Sequence, residues 1–222
     1  MSSKNIPLYA QGPYDRELNY KLWSTYKSRY NAAARFRRKY DLSTKAIAIL
    51  SAYVVIFSLI TTMLPQFSQG GTSQVILFIS SALSIIILVV SQLESSQNYS
   101  VRSLTNHQSG LQISELYNEL RILKTRTGTD KGEEFMAKVE DIAKRYDDIL
   151  KRFDNHEDID FACFRASKPK YEDHNLSKSD VFRVHLLLFV GQYLFYYICM
   201  LLPPILFGVF VYFTHPHPHP HP

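Results

Sequence analysis

From Ala46 to Leu93 the chain holds no Asp, Glu, Lys, Arg or His, although 20% of its 222 residues are charged. A helical pair in a water-soluble bundle keeps a charged outer face, so this absence argues against burial in a soluble core. Cysteine is also scarce. Cys163 lies in a charged segment and Cys199 in an apolar one, which excludes a disulfide framework and leaves two free thiols. The eight glycines are dispersed and form no phosphate-cradling loop. There is no G-x-S-x-G, no H-E-x-x-H, no Cys and His pair at metal spacing, and no acidic pair within an apolar segment. Those gaps remove the common hydrolase, metalloenzyme and intramembrane proton chemistries, so no catalytic, cofactor-binding or metal residue is expected. The first twenty residues, MSSKNIPLYAQGPYDRELNY, lack the apolar core and small-residue cleavage site of a signal peptide, and insertion is expected to rely on internal segments.

The charge-free stretch reads as a membrane hairpin over 46–93. Its halves, AIAILSAYVVIFSLITTML and VILFISSALSIIILVVSQL, are 19 residues each, close to the roughly 20 that cross the hydrocarbon as a helix. Between them Pro65 stops the first helix, Gly70 and Gly71 permit reversal, and Thr72 or Ser73 is placed to cap the second. Mean hydropathy over the whole chain is only −0.13, because apolar and charged blocks are sharply segregated. Met1 to Lys45 carries ten Lys and Arg against three acids, the turn carries none, and Glu94 to Arg183 carries fifteen Lys and Arg. The positive-inside tendency then places both hairpin ends in the cytoplasm, and the net charge of +5 fits topology better than direct nucleic-acid binding.

Residues 1–14 are irregular, broken by Pro7, Gly12 and Pro13. A helix over 15–45 follows, with Leu18, Leu22, Tyr26 and Tyr30 at fourfold spacing and Trp23 and Ala33 beside them. Trp23, Tyr26, Tyr30 and Phe36 suit either the lipid headgroup level or another cytoplasmic helix. Arg35, Arg37, Arg38 and Lys39 precede the first span and read as a topology or anionic-lipid anchor. Within the spans, at about 100° per residue, Ser73, Ser80, Ser84 and Ser91 share one stripe, and Thr44, Ser51, Ser58 and Thr62 share another. Small residues of this kind serve close helix packing, or line a water-filled path in an oligomer, where hydroxyls replace part of an ion's hydration.

Residues 94–154 are expected to form a cytoplasmic helical pair. Leu104, Leu111, Ile113, Leu116, Leu120 and Leu123 keep helical spacing up to Gly128, and the second span is expected to continue into this helix. Asp130 is placed to cap the next one, with Glu133 three residues on. There Phe135, Val139, Ile142, Tyr146, Ile149 and Phe153 alternate gaps of four and three as a packing seam. The stretch 155–182 reads as a solvated connector. It contains His156, Glu157, Asp158, Asp160 and His174, but not at the i, i+4 spacing of a helix-borne metal site. A third apolar segment, 183–213, is expected to be one span kinked at Pro203 and Pro204, with Arg183 and His185 at its cytoplasmic end and the C-terminus outside. The tail 214–222, mostly alternating His and Pro, cannot be helical. The fold class is thus all-α: an integral membrane hairpin with flanking cytoplasmic helices and a third C-terminal span.

This order of parts resembles the SLATT family, the SMODS and SLOG-associating two-transmembrane effector domains of bacterial conflict systems. The resemblance runs from about Asp15 to Phe153. It is carried by the helix with Trp23, by YNAAARFRRKYDLSTKAIAILSAYVVIFSLI, by the uncharged turn and second span, and by NYSVRSLTNHQSGLQISELYNELRIL. The third span exceeds the minimal two-span pattern and is most similar to the subfamily with C-terminal extensions found beside reverse transcriptases. The resemblance implies a homo-oligomeric effector of antiphage defence in the inner membrane. It would be held quiet until a separate sensor, a nucleotide-signal enzyme or reverse transcriptase system, reports infection, and would then disrupt the bilayer lipid. The residues alone leave a second reading open, a non-conducting anchor that holds a cytoplasmic partner through the helices between Tyr99 and Phe153.

Overall fold

Between Tyr14 and Met63 the sequence has no Gly or Pro, so nothing interrupts the backbone ladder, and these 50 residues form one helix, α1. Asp15 and Glu17 sit in its first turn, where carboxylates favour the partial positive charge of a helix start. The computed structural model describes residues 7–63, 70–128 and 131–214, and these are helical apart from short connections. After a 3-10 turn at Leu8–Ala10 and α1 come α2 (Gly70–Gln97), α3 (Tyr99–Thr127), α4 (Glu133–Arg152), α5 (Asp158–Ser167), α6 (Lys178–Gln192) and α7 (Leu194–Thr214). Pro65, Asp130 and the His-Pro tail lie outside the described residues.

Two compact units emerge, and α1 contributes to both. Unit 1 comprises Met1–Arg37 and Tyr99–Phe189. Its core joins Leu18 and Leu22 of α1, Ile113, Leu116 and Leu120 of α3, and Phe135, Val139, Ile142, Tyr146 and Ile149 of α4, with Tyr26 and Phe153 packed against them. Leu104 and Leu111, by contrast, stand exposed, because the buried face of α3 there is polar and small, with Asn106, Ser109 and Gly110. Ala32, Phe36 and Tyr99 form a second buried cluster. Trp23, Tyr26, Tyr30 and Phe36 therefore pack on protein.

Unit 2 comprises Arg38–Asn98 and Val190–Pro222. Leu50 and Phe57 of α1 and Ile76 and Leu83 of α2 form its core, with Tyr53, Ile79, Ile87, Cys199, Phe207 and Phe210 against it. The Phe57 and Phe207 ring centroids lie 4.8 Å apart, and the Tyr53 hydroxyl donates to the Met200 carbonyl at 3.2 Å. Most other large apolar side chains of α2 and α7, Phe78, Leu88, Leu201 and Ile205 among them, face outward. Three stretches, in α1, α2 and α7, are long and apolar enough to cross a membrane. With no strand among the described residues, the protein is an all-α membrane protein.

Four expectations change. Helix α2 starts at Gly70, so Thr72 and Ser73 lie inside its first turn and do not cap it. It does not run unbroken into α3, because Asn98, at φ 48°, interrupts them; Asn tolerates this left-handed conformation better than most residues. The stretch 155–182 is not merely a solvated connector, since it contains α5, with Asp160, Phe164 and Ala166 buried. The 183–213 segment is two helices divided at Tyr193, with Pro203 and Pro204 inside the second.

Gly110 of α3 lies against Tyr30 of α1 with no room for a side chain. A Cβ there would stand 2.8 Å from the Tyr30 ring, which also donates its hydroxyl to Ser114 at 3.4 Å. Gly→Ala at an open helical site gains roughly 1 kcal/mol. At Gly110 the steric cost reverses the sign, and Gly110→Ala is expected to lower stability by about 1–3 kcal/mol, read as a reduced thermal midpoint in detergent.

Candidate functional site

In unit 2 the apolar seam repeats every seven residues, at Leu50 and Phe57 on α1 and at Ile76, Leu83 and Val90 on α2, all buried. The hydroxyl stripes run one position on, which turns them about 100° away. Ser51, Ser58 and Thr62 on α1 and Ser84 on α2 are exposed, whereas Ser80 and Ser91 are half-buried. Each exposed hydroxyl donates to its own helix: Ser51 to Ile47 O at 2.8 Å, Ser58 to Val54 O at 2.9 Å, Thr62 to Ser58 O at 2.8 Å, and Ser84 to Ser80 O at 2.9 Å. Such bonds satisfy the hydroxyl proton and leave oxygen lone pairs outward. Among the described residues the Ser80 hydroxyl is buried without a partner. Ser51, Ser58, Thr62 and Ser84 thus lie outside the chain's own helix packing, which is made by Leu, Ile and Phe, whereas Ser80 and Ser91 sit at its edge.

Charge in unit 2 is confined to one end. Arg38 lies over the Tyr193 ring at 4.8 Å and hydrogen-bonds the Tyr197 side chain, while Ser43 donates to the Glu94 carboxylate. This pairing of cations with amphipathic rings is the chemistry of a headgroup layer. Arg37 is exposed and Lys39 half-buried.

Arg35 departs from the rest of the basic run. It is 3% exposed, and it grips Asp160 of α5 in two parallel bonds, Nε to Oδ1 at 2.9 Å and Nη2 to Oδ2 at 2.8 Å. Its Nη2 also lies 3.1 Å from Glu157, and the Arg35 and Arg102 guanidinium groups lie 4.3 Å and 4.1 Å from the Phe36 ring centroid. Arg35 is therefore no lipid anchor; its position on the inner face of α1 decides that. Asn31, one turn earlier, donates to Asp160 O at 3.0 Å. A sequence signal for this site existed in the E-x-x-D spacing of Glu157 and Asp160, which form a capping box at the start of α5.

A second anchoring cluster surrounds His174, which is 2% exposed. Its Nδ1 donates to the Lys168 carbonyl at 2.8 Å, which leaves Nε2 to accept from the Tyr20 hydroxyl at 3.0 Å. Trp23 meets Phe164 edge-on at 4.8 Å and Tyr171 at 5.0 Å. Asp173 accepts from the backbone of Leu8 at 2.7 Å and Tyr9 at 3.1 Å. Burial pushes the Tyr20 phenol up to about 12 and pushes the His174 imidazole down. Burial, then the nearby Arg29 guanidinium, lowers His156. Arg29 is itself 1% exposed and pushed down by burial; among the described residues it makes no ion pair. Asp15 feels burial upward, but Lys131 and Lys124 at 2.9 Å outweigh it and hold the carboxyl below its usual range. No group of three potential metal ligands occurs among the described residues, and both cysteines are free.

Two outcomes follow from these buried groups. Arg35→Ala leaves Asp160 buried without its cation and is expected to cost about 3–5 kcal/mol, whereas the paired change Arg35→Met with Asp160→Leu recovers most of it; thermal midpoints of the three forms measure this. His174 and His156 bind protons less readily folded than unfolded, so stability is complete above the ordinary histidine pKa of about 6.5 and falls as pH drops below it. His174→Gln is expected to flatten part of that acid slope in midpoints taken between neutral and mildly acidic buffer.

Neither a curated protein nor a solved structure matches the chain. A family model, described as SMODS and SLOG-associating 2TM effector domain family 5, matches residues 13–210. The match takes in most of α7 as well as the hairpin helices, so the third apolar helix begins inside the family's own span. On that match the chain belongs to the SMODS and SLOG-associating 2TM effector domain family 5, and is a membrane effector.

Proposed function

We propose that the protein is a self-associating effector of a bacterial antiphage system that opens or perturbs the inner membrane when a separate partner or a nucleotide-derived signal triggers it. The observation that carries this reading is the outward position of Ser51, Ser58, Thr62 and Ser84. A monomer in lipid gains nothing from hydroxyls on its outer face, while a second copy gains close backbone approach and an oligomer gains a polar lining. The spans carry no ring of charge, so any such pore discriminates weakly among ions. Arg37, Arg38 and Lys39 hold the cytosolic end by the positive-inside tendency, which puts the N-terminus and the helices between Tyr99 and Phe153 in the cytoplasm and the C-terminus in the periplasm. The SMODS and SLOG association in the family's description supports a separate sensing partner.

One observation favours a second reading, a non-conducting anchor. A groove of about 400 Å³ between α3 and α4 is lined by Glu119, Ile122, Leu123, Arg126, Lys138 and Asp141, with Ile122 half in solvent, and a partner could dock there.

Expression with its cognate partners, followed by dye entry and membrane-potential measurement, separates the two. The effector reading expects a leak on triggering, and expects Ser84→Leu with Ser91→Leu to abolish that leak while assembly, measured by mass in detergent, persists. Assembly without leak under every trigger would sink it in favour of the anchor.

A further inference from the structure

Helix α6 has no buried residue. Its half-buried side, Val181, Val184 and Leu188, faces the protein. The opposite side presents Phe182, Leu186 and Phe189 at gaps of four and three, with Leu187 beside them, and Phe182 is 68% exposed. A helix left in water would not hold this many large apolar groups on its outer side. At 15 residues it rises about 22 Å, short of the roughly 30 Å of hydrocarbon, so it cannot cross by itself. A single residue, Tyr193, separates it from α7, and Tyr193 lies under Arg38 in the charge-and-ring layer that marks the membrane surface of unit 2. Arg183 lies within this outward face, between Leu186 and Leu187 around the helix and nearer its N-terminal end, where a long cationic side chain reaches anionic headgroups while its stem stays on apolar surface.

We propose that the outer face of α6 is a lipid-binding surface seated at the boundary between headgroups and acyl chains, and that Phe182, Leu186, Leu187 and Phe189 are its insertion residues. Apolar continuity with α7 identifies the occupant as the bilayer itself. The 183–213 stretch then divides by function as well as by helix, with only the part after Tyr193 available to cross. The proposal rests on α7 being membrane-embedded, and it makes no use of conduction.

The test places an environment-sensitive fluorophore on Leu187→Cys, and separately on Leu206→Cys in α7, in a full-length chain with Cys163→Ser and Cys199→Ser. Both are reconstituted in phosphatidylcholine and phosphatidylglycerol vesicles containing lipids brominated near the headgroup or near the chain end. The expected result at position 187 is blue-shifted emission with greater loss of intensity to shallow than to deep bromines, and the reverse order at position 206. Water-like emission without lipid quenching at 187 would overturn the proposal and point to solvent or a protein contact. Strongest quenching by deep bromines at 187 would overturn it by making α6 part of a crossing segment. Failure of the 206 probe to be quenched at depth would remove the membrane placement on which it rests.

Discussion

Hydrocarbon can neither solvate a charge nor hydrogen-bond a free amide, and this constraint orders the whole chain. It requires that the bilayer-facing backbone be helical and that charge be expelled to the ends. Unit 2 answers both demands. Its helices satisfy their own ladders, its hydroxyls bond back to their own carbonyls, and Arg38 and Glu94 gather at one end with tyrosine and serine partners. The packing inside it uses Leu, Ile and Phe, which gain dispersion contacts but no advantage of hydrophobicity over lipid. Specific association in such a solvent depends on shape and small residues, which is why the outward Ser51, Ser58, Thr62 and Ser84 support the proposed self-association.

Unit 1 is built differently. Its core is made by apolar burial, and Leu22, Ile113, Leu120 and Val139 vanish entirely from solvent. It also buries charge. Arg35 and Asp160 compensate one another, Asp15 draws in two lysines, and Arg29 stays buried without an ion pair among the described residues. Such groups add little net stability compared with apolar substitutes, but they penalise any arrangement that separates them. The bidentate grip of Arg35 thereby fixes α5 against α1, and the His174 cluster fixes the stretch that follows α5. The two are anchored by different chemistries, one ionic and one aromatic.

That α1 and α2 each carry a stretch long and apolar enough to cross a membrane was legible because it depends on composition. A run of uncharged residues from Ala46 to Leu93 needs no knowledge of neighbours to be read. The heptad-like spacing of Phe135, Val139, Ile142, Tyr146 and Ile149 was equally local, and all five are buried. The fate of Arg35 was not legible. It stands two residues from Arg37 and three from Arg38 in an evidently basic run, and only its direction on the helix separates it from them. The stretch around Asp160 and His174 looked polar enough for water because its partners are supplied by α1, more than a hundred residues away. The split at Tyr193 escaped notice because hydropathy is continuous across it, and a break in backbone hydrogen bonding leaves no trace in composition.

What the sequence determined by itself was where charge is permitted and where it is not: the apolar crossings, the basic flanks, the helical periods and the family to which their order corresponds. Solvent selects residue types position by position, so that information is stored locally. The tertiary structure alone decided which polar residues pair, that Arg35 meets Asp160 across 125 positions, that His174 accepts from Tyr20, and that Ser51, Ser58 and Ser84 look away from the seam. Those outcomes depend on how helices from distant parts of the chain come together, and a pairing energy exists only after that geometry has formed.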